Sequence, residues 1–319
     1  MPQNSKSGPL MAPATQPPAV PPPLAQPRAD RQGTAILMIC GSTLVFAAQD
    51  GVSRHLGAVY PPIFIVMLRY WFFAAFVILL CARSPGGLSR AIHSKRPLLQ
   101  IARGVLLVVE IVVVIEAFVR MGLINTHAIF ACYPLLISAL SGPILGEKVG
   151  WRRWLAVAVG FIGIMIVLNP SSGAMNSNAI LPFAGALMFA IYGLLTRMVA
   201  RDDPAMTSFF WTGIAGAVAS TLVGAWHWVP MAPSDIPWMV SLCVTSVLGH
   251  FLLIKAYELA EASALQPFSY TQLVWISIFG VTIFGETLAP NVALGGAIVV
   301  AAGMFTWWRS RQRERAAAQ

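Results

Sequence analysis

Charged residues are scarce in this sequence: they form 10% of its 319 residues, whereas hydrophobic residues form 57%. Soluble domains contain about 25% charged residues, so a soluble protein of this length would lack the charge to cover its surface. Cysteine is scarce too, and the four cysteines lie far apart without CxxC or HxxxH spacing. This argues against a zinc site, a redox pair or a disulfide framework. The net charge of +9 forms no continuous basic patch, so we expect no nucleic-acid partner.

Catalytic signatures are missing as well. The sequence contains no GxSxG, HExxH, Walker or dinucleotide-binding motif. We therefore expect neither an enzyme nor a bound cofactor or metal. Because no nucleotide-binding domain is visible, any transport would be driven by an ion gradient or by the gradient of the substrate itself.

Long apolar runs follow a proline-rich beginning. Residues 1–33 hold nine prolines and predict a disordered cytoplasmic tail. After it, runs of about 18–23 residues recur, each long enough to cross a hydrocarbon core of roughly 30 Å. The ten runs are 34–54, 63–82, 98–120, 125–146, 152–169, 179–199, 206–226, 236–258, 264–285 and 291–308. Since they are continuous rather than alternating, they exclude a transmembrane barrel. The predicted fold is an all-α integral membrane protein with ten transmembrane helices.

The distribution of basic residues predicts the orientation in the membrane. One set of connections carries Arg83, Arg90, Lys95, Arg96, Lys148, Arg152, Arg153, Arg197, Arg201 and the basic tail 309–319. The alternate set carries only Arg54 and Arg120, near helix ends. Cytoplasmic connections are enriched in Lys and Arg, so we expect both termini to be cytoplasmic, in a bacterial inner membrane.

The two halves of the chain resemble each other. Glu116-Ala117-Phe118 lies over Lys255-Ala256-Tyr257 at a shift of 139 residues (255 − 116 = 139), and the same shift places Glu147 on Glu286. The halves, 34–169 and 179–308, contain five predicted helices each. Because five is an odd number, the second half must enter the membrane from the opposite side. This predicts two inverted five-helix repeats, an arrangement found in many secondary transporters.

These features resemble the drug/metabolite transporter superfamily, in its ten-helix EamA-type branch. Leu-Gly-Glu-Lys at 145–148 and Phe-Gly-Glu-Thr at 284–287 close the fourth helix of each half, and a glycine-bearing helix follows each. The stretch 266–275 also reads like this branch. The resemblance implies a central cavity lined by the first, third, fourth, sixth, eighth and ninth helices, with the fifth and tenth at the periphery. Relatives include exporters of amino acids and importers of S-adenosylmethionine or riboflavin.

Two ionisable residues lie near the middle of predicted helices. Glu110 is surrounded by aliphatic residues in the third run, and the shift of 139 places it beside His250 in the eighth. Ionisable groups at this depth are costly and mark functional sites. A buried carboxyl or imidazole can change its protonation state near neutral pH, so both are candidates for proton coupling. The alternative for each is a hydrogen bond that only joins helices.

Five other charged residues lie near the outer ends of helices. Asp50 and Arg69 share a depth and are expected to pair, Arg54 competes for the same carboxylate, and Glu116–Arg120 repeats the i,i+4 spacing. We expect these pairs to be structural or to act as an outer gate.

Polar and aromatic residues on the predicted helices are candidates for lining the substrate cavity. The candidates are Gln49, Glu110, Tyr192, His250, Tyr257, Tyr270, Gln272 and Trp275. Aromatic rings and amides suit an amphipathic ligand, although core packing is the better interpretation of any single aromatic residue.

The resulting hypothesis is a secondary transporter that works by alternating access. Its expected substrate is a small amphipathic metabolite, most of all amino acids, including aromatic ones, moved outward. An uptake carrier of the S-adenosylmethionine or riboflavin type is the alternative, and a channel is a weaker one. The lipid bilayer is the expected surrounding, protons are a candidate coupling ion, and a monomer and a homodimer both stay open.

Overall fold

A computed structural model describes residues 29–84, 86–146, 151–168, 177–260 and 262–317. Apart from short 3-10 turns, the secondary structure of these residues is α-helical. The helices of the first half are α1 (Ala29–Gly57), α2 (Pro62–Arg83), α3 (Gly87–Ile92), α4 (Pro97–Met121), α5 (Leu123–Phe130), α6 (Tyr133–Leu145) and α7 (Trp151–Leu168). Those of the second half are α8 (Ile180–Val199), α9 (Ala205–Gly224), α10 (Ile236–Leu259), α11 (Ala262–Ser269), α12 (Thr271–Phe284) and α13 (Pro290–Ala317).

Ten apolar helical segments are present in the described residues. Eight stretches are long and apolar enough to cross a membrane, and the shorter apolar helices Trp154–Val167 and Pro290–Phe305 complete the ten. The predicted all-α membrane fold is therefore confirmed. Helix α1 begins at Ala29, inside the segment predicted as a disordered tail, and residues 1–28 lie outside the described part. Helix α13 likewise continues to Ala317, through most of the predicted basic tail.

The fourth and ninth spans are each built from two helices. The first break lies at Ala131, between α5 and α6, and the second at Tyr270, between α11 and α12, again 139 residues apart. Pro134 has no amide hydrogen to continue the ladder across the first break, and Pro267 lies three residues before the second. Broken spans in corresponding positions of two halves are typical of transporter folds.

Helix packing follows the internal repeat. Helix α1 packs on α10, and its counterpart α8 packs on α4. The pair α1–α12 corresponds in the same way to α8–α6, whereas α2–α9 and α7–α13 each join one helix to its own counterpart. Exchanging the halves thus maps each of these contacts onto another. Two opposite faces result, named here the Asp203 face, which also contains Arg96, and the Glu286 face.

Candidate substrate cavity

A cavity with roughly 510 Å³ of space, its mouth included, lies at the centre of the helices. Its wall comes from α1, α2, α4, α5, α8, α10 and α12. The lining residues are Phe46, Gln49, Asp50, Ser53, Arg69, Leu107, Glu110, Ile111, Val114, Ile115, Phe118, His127, Phe130, Phe189, His250 and Gln272. The wall includes the six spans that the family resemblance implies, and α2 joins them through Arg69. Helices α7 and α13 contribute no described residue to it.

The two ionisable residues predicted near mid-membrane do meet in this cavity. Glu110 of α4 is 4% exposed and His250 of α10 is 3% exposed, and both line the wall. The His250 ring packs at 5.1 Å from the Phe46 ring and 6.1 Å from that of Phe73, centroid to centroid. Helix periodicity and the internal repeat therefore brought the right pair of side chains to one place.

Asp50 is held by a different set of partners from the one predicted. Its Oδ2 accepts a hydrogen bond from Gln272 Nε2 at 3.1 Å and lies 3.1 Å from Nε2 of His127. Among the described residues no ion pair joins Asp50 to Arg69, so the predicted pair is wrong. Equal depth brought the two side chains into one cavity, but the helices that face Asp50 most closely are α5 and α12.

Arg54 likewise turns away from Asp50. It forms an ion pair with Glu286, at the end of the ninth span. Glu286 also accepts hydrogen bonds from the amides of Leu123 and Ile124, both at 2.8 Å. Because these are the first amides of α5, the carboxylate caps that helix where helix amides lack partners of their own. The equivalent Glu147 lies outside the described residues.

The predicted i,i+4 pair on α4 is confirmed. Arg120 Nε lies 2.6 Å from Glu116 Oε1, and both side chains are partly exposed. The pair lies on the outside of the bundle, and Arg120 also reaches the Asn178 side chain at 3.3 Å.

Four of the predicted cavity residues lie behind the wall. Tyr192 is fully buried and its hydroxyl accepts a hydrogen bond from Arg103 at 3.4 Å. Tyr257 packs towards α8, beside Gly193, and Trp275 packs against the core around α5 and α6. The Tyr270 hydroxyl fits against Gly303 of α13, where an added Cβ would lie 2.1 Å away. These aromatic residues pack helices together, as the core alternative for each allowed.

A buried arginine that sequence reasoning missed closes the Asp203 side of the cavity. Arg103 is fully buried in α4, two helical turns before Glu110 on the same face. Its guanidinium donates hydrogen bonds to Gln100 of α4, Tyr192 and Thr196 of α8, and the Ser208 carbonyl and Thr212 of α9. The signal was present in the sequence, since an arginine lies seven residues before Glu110 inside an apolar run. Its partners, from two other helices, were not visible there.

Asp203 completes this closure in the connection between α8 and α9. Its carboxylate accepts hydrogen bonds from Ser94, from the Lys95 amide at 2.9 Å and from Gln100 Nε2 at 2.9 Å. Burial alone would raise the pKa of this carboxyl, but these hydrogen bonds and the Lys95 charge outweigh it and lower the pKa below its usual value. The α3–α4 and α8–α9 connections are thereby tied together.

Ten apolar helices in two similar halves, with ionisable residues converging on a central cavity, define the class as α-helical membrane transporters. Within this class the chain belongs to the EamA-like transporter family, whose profile matches residues 33–169 and again 176–308. The double match agrees with the internal repeat seen in the sequence and in the helix packing.

Curated relatives share much of this chain. An "S-adenosylmethionine uptake transporter" of Rickettsia prowazekii is 24% identical over 264 residues, which cover 83% of this chain and 89% of the relative. A "Riboflavin transporter" of Vibrio cholerae is 30% identical over 191 residues, covering 59% and 64%. A crystal structure of another protein superposes with a TM-score of 0.59 at 18% identity, covering 89% of this chain and 97% of the other, and shows the shared fold.

Proposed function

We propose that this protein is a secondary carrier that takes up a small organic metabolite of the S-adenosylmethionine or riboflavin type by alternating access. The observation that carries the proposal is the central cavity, where polar residues of both halves converge between apolar walls. Carriers with inverted repeats bind their substrates at this depth, at the interface of the repeats.

The direction of transport follows from the relatives rather than from the cavity. The Rickettsia relative is named as an uptake transporter, and the names of these relatives favour the uptake alternative over the export of amino acids. We therefore propose uptake across a bacterial inner membrane, with the Asp203 face in the cytoplasm as the basic residues predict. In this orientation the Arg103 hydrogen bonds close the cytoplasmic side, and the cavity is approached from outside.

Flux into proteoliposomes tests this proposal. Radiolabelled S-adenosylmethionine or riboflavin should enter with saturable kinetics, and unlabelled substrate inside the vesicles should accelerate entry of the labelled one. A channel would show neither saturation nor counterflow. Asp50→Asn, in the cavity, should lower the flux, whereas the matched control Glu116→Gln, on the outer surface of α4, should not. Absence of flux for both compounds would contradict the proposal.

Glu110 and His250 are the proposed groups for coupling transport to protons. If Glu110 carries the coupled proton, Glu110→Gln should abolish acceleration by a pH gradient, because the amide cannot exchange a proton. Equilibrium exchange of substrate should stay close to that of the wild type, since exchange requires no net proton movement. Flux driven by imposed pH gradients is the measurement. Unchanged acceleration in both Glu110→Gln and His250→Ala would assign the two residues to helix packing.

A further inference from the structure

The guanidinium of Arg69 has an edge without a partner. The residue is 1% exposed and lines the cavity, yet within the described part of the chain its Nε and Nη2 atoms have no hydrogen-bond partner. Leaving a buried polar group unsatisfied costs about 1–3 kcal/mol, and more when the group is charged. Two adjacent unsatisfied donors in the wall of a transport cavity indicate a group on the substrate that accepts both.

The geometry of this edge defines the acceptor. The N–H of Nε and one N–H of Nη2 point the same way from one side of the planar guanidinium, and such a pair matches the two oxygens of a carboxylate or phosphate. Glu110 interacts electrostatically with Arg69 and also with Asp50. Two acidic residues near one arginine disfavour a phosphate dianion. They favour a singly charged carboxylate that is accompanied by a cationic group.

Two more unsatisfied atoms in the same wall agree with such a ligand. Oε1 of Gln49 and Nδ1 of His250 are buried without a hydrogen-bond partner among the described residues. An amide oxygen accepts hydrogen bonds only, so Gln49 requires a donor such as an ammonium group. The cavity therefore presents an unsatisfied donor pair and an unsatisfied acceptor together, around the carboxylate of Glu110.

We propose that the cavity binds the zwitterionic head of an α-amino acid, with its carboxylate on the Nε/Nη2 edge of Arg69. The ammonium group then faces Glu110 and Gln49. The inference rests on the proposed transport function and narrows it, since S-adenosylmethionine carries such a head and riboflavin does not. Four phenylalanines supply the apolar wall for the remainder of the substrate: Phe46, Phe118, Phe130 and Phe189.

Binding to the purified full-length protein tests the carboxylate contact. The probes are two matched pairs that differ only in the carboxylate: S-adenosylmethionine with its decarboxylated form, and L-phenylalanine with phenethylamine. Affinity is read from the concentration dependence of thermal stabilisation. The wild type should bind the better carboxylate-bearing probe about 10–100-fold more tightly than its matched amine, as expected for charge-assisted hydrogen bonds.

Substitutions of Arg69 connect this preference to the residue. Arg69→Gln should remove the preference while changing the affinity for the matched amine by less than about threefold. Arg69→Lys, which keeps the charge but loses the paired donors, should retain only part of it. An equal loss for both members of a pair would show a structural role and overturn the assignment. Should the glutamine variant not fold, an unchanged preference in the lysine variant overturns it instead.

The wild-type results separate this inference from the proposed transport function. If no carboxylate-bearing probe binds better than its matched amine, the inference is wrong, even when riboflavin enters proteoliposomes and transport stands. A carboxylate preference that depends on Arg69, without flux of either compound, would support the binding site and contradict the transport function.

Discussion

At the residue scale, the buried carboxylates of this protein hold distant parts of the chain together. Asp50 joins α1 to α5 and α12, Glu286 joins the ninth span to α1 and α5, and Asp203 joins two connections. Each receives at least two hydrogen bonds from other elements. Burying a charge without such partners costs several kcal/mol, so these contacts decide which helices can lie side by side.

Removing the Glu286 carboxylate should weaken the junction on its face. Glu286→Ala leaves the Leu123 and Ile124 amides and Arg54 without their acceptor, and losing a helix cap of this kind costs about 1–2 kcal/mol. We expect a lower Tm in detergent. The matched control is Glu116→Ala, whose exposed i,i+4 pair contributes only about 0.2–0.5 kcal/mol. Equal losses in the two variants would show that Glu286 does not cap α5.

The stability contribution of Asp203 should depend on pH. Its pKa is lowered in the folded protein, so the contribution is present above the unfolded pKa of about 3.9 and is lost as the pH falls through the folded pKa. Asp203→Asn should therefore lower Tm at pH 7, and its difference from the wild type should shrink below about pH 4.

A control for this measurement lies nearby. Ser94→Ala removes one donor to Asp203 and should show a smaller version of the same pH dependence, whereas Ser89→Ala changes an exposed serine and should show none. A difference in Tm between Asp203→Asn and the wild type that stays constant from pH 7 to acid would contradict a stabilising ionised carboxylate.

At the element scale, close contact between helix backbones holds α7 against α13. A Cβ added at Gly163 would lie 2.7 Å from the Gly295 carbonyl oxygen, and one added at Gly295 would lie 2.4 Å from that of Gly163. Small residues let helices approach closely in membranes, where packing rather than the hydrophobic effect drives association. The glycine-bearing helices noted in the sequence thus form the pair outside the cavity.

Gly295→Ala should separate these helices at a cost of about 1–3 kcal/mol, because backbone atoms rather than a flexible side chain obstruct the added methyl group. The next residue supplies the control. A Cβ added at Gly296 meets its nearest neighbour, Leu273, at an ordinary 3.6 Å. Gly296→Ala should therefore be neutral or gain up to about 1 kcal/mol from helix propensity. Thermal unfolding in detergent distinguishes the variants, and similar values for both would contradict the close contact.

At the scale of the whole molecule, the two faces differ in unpaired positive charge. On the Glu286 face, Arg54 is paired with Glu286 and Arg120 with Glu116. On the Asp203 face, Arg83, Arg90, Arg197 and Arg201 form no ion pair within the described residues. The structure thus accentuates the asymmetry that the sequence already shows, and the Asp203 face is the one we propose to be cytoplasmic.

Accessibility of introduced cysteines tests this orientation. Ser234 lies before α10 on the Glu286 face, and Ser89 lies in α3 on the Asp203 face, both exposed. In intact cells a membrane-impermeant thiol reagent should label Ser234→Cys and leave Ser89→Cys unmodified until the membrane is permeabilised. The opposite pattern would place the Asp203 face outside.

The sequence by itself determined the ten apolar spans, the repeat of the halves and the convergence of Glu110 and His250. These follow from run length, from helix periodicity and from the constant shift of 139 residues. Periodicity decides which residues share a face of one helix, and the repeat relates a helix to its counterpart.

Only the tertiary structure decided which helix each face meets. Asp50 therefore contacts His127 and Gln272 instead of Arg69, Tyr270 packs on Gly303 rather than in the cavity, and Arg103 finds its partners on α8 and α9. The physical reason is that these partners lie between nine and more than two hundred residues apart in the chain for some pairs and on different helices for all of them. Their pairing depends on how all ten spans pack together, which no local pattern of residues records.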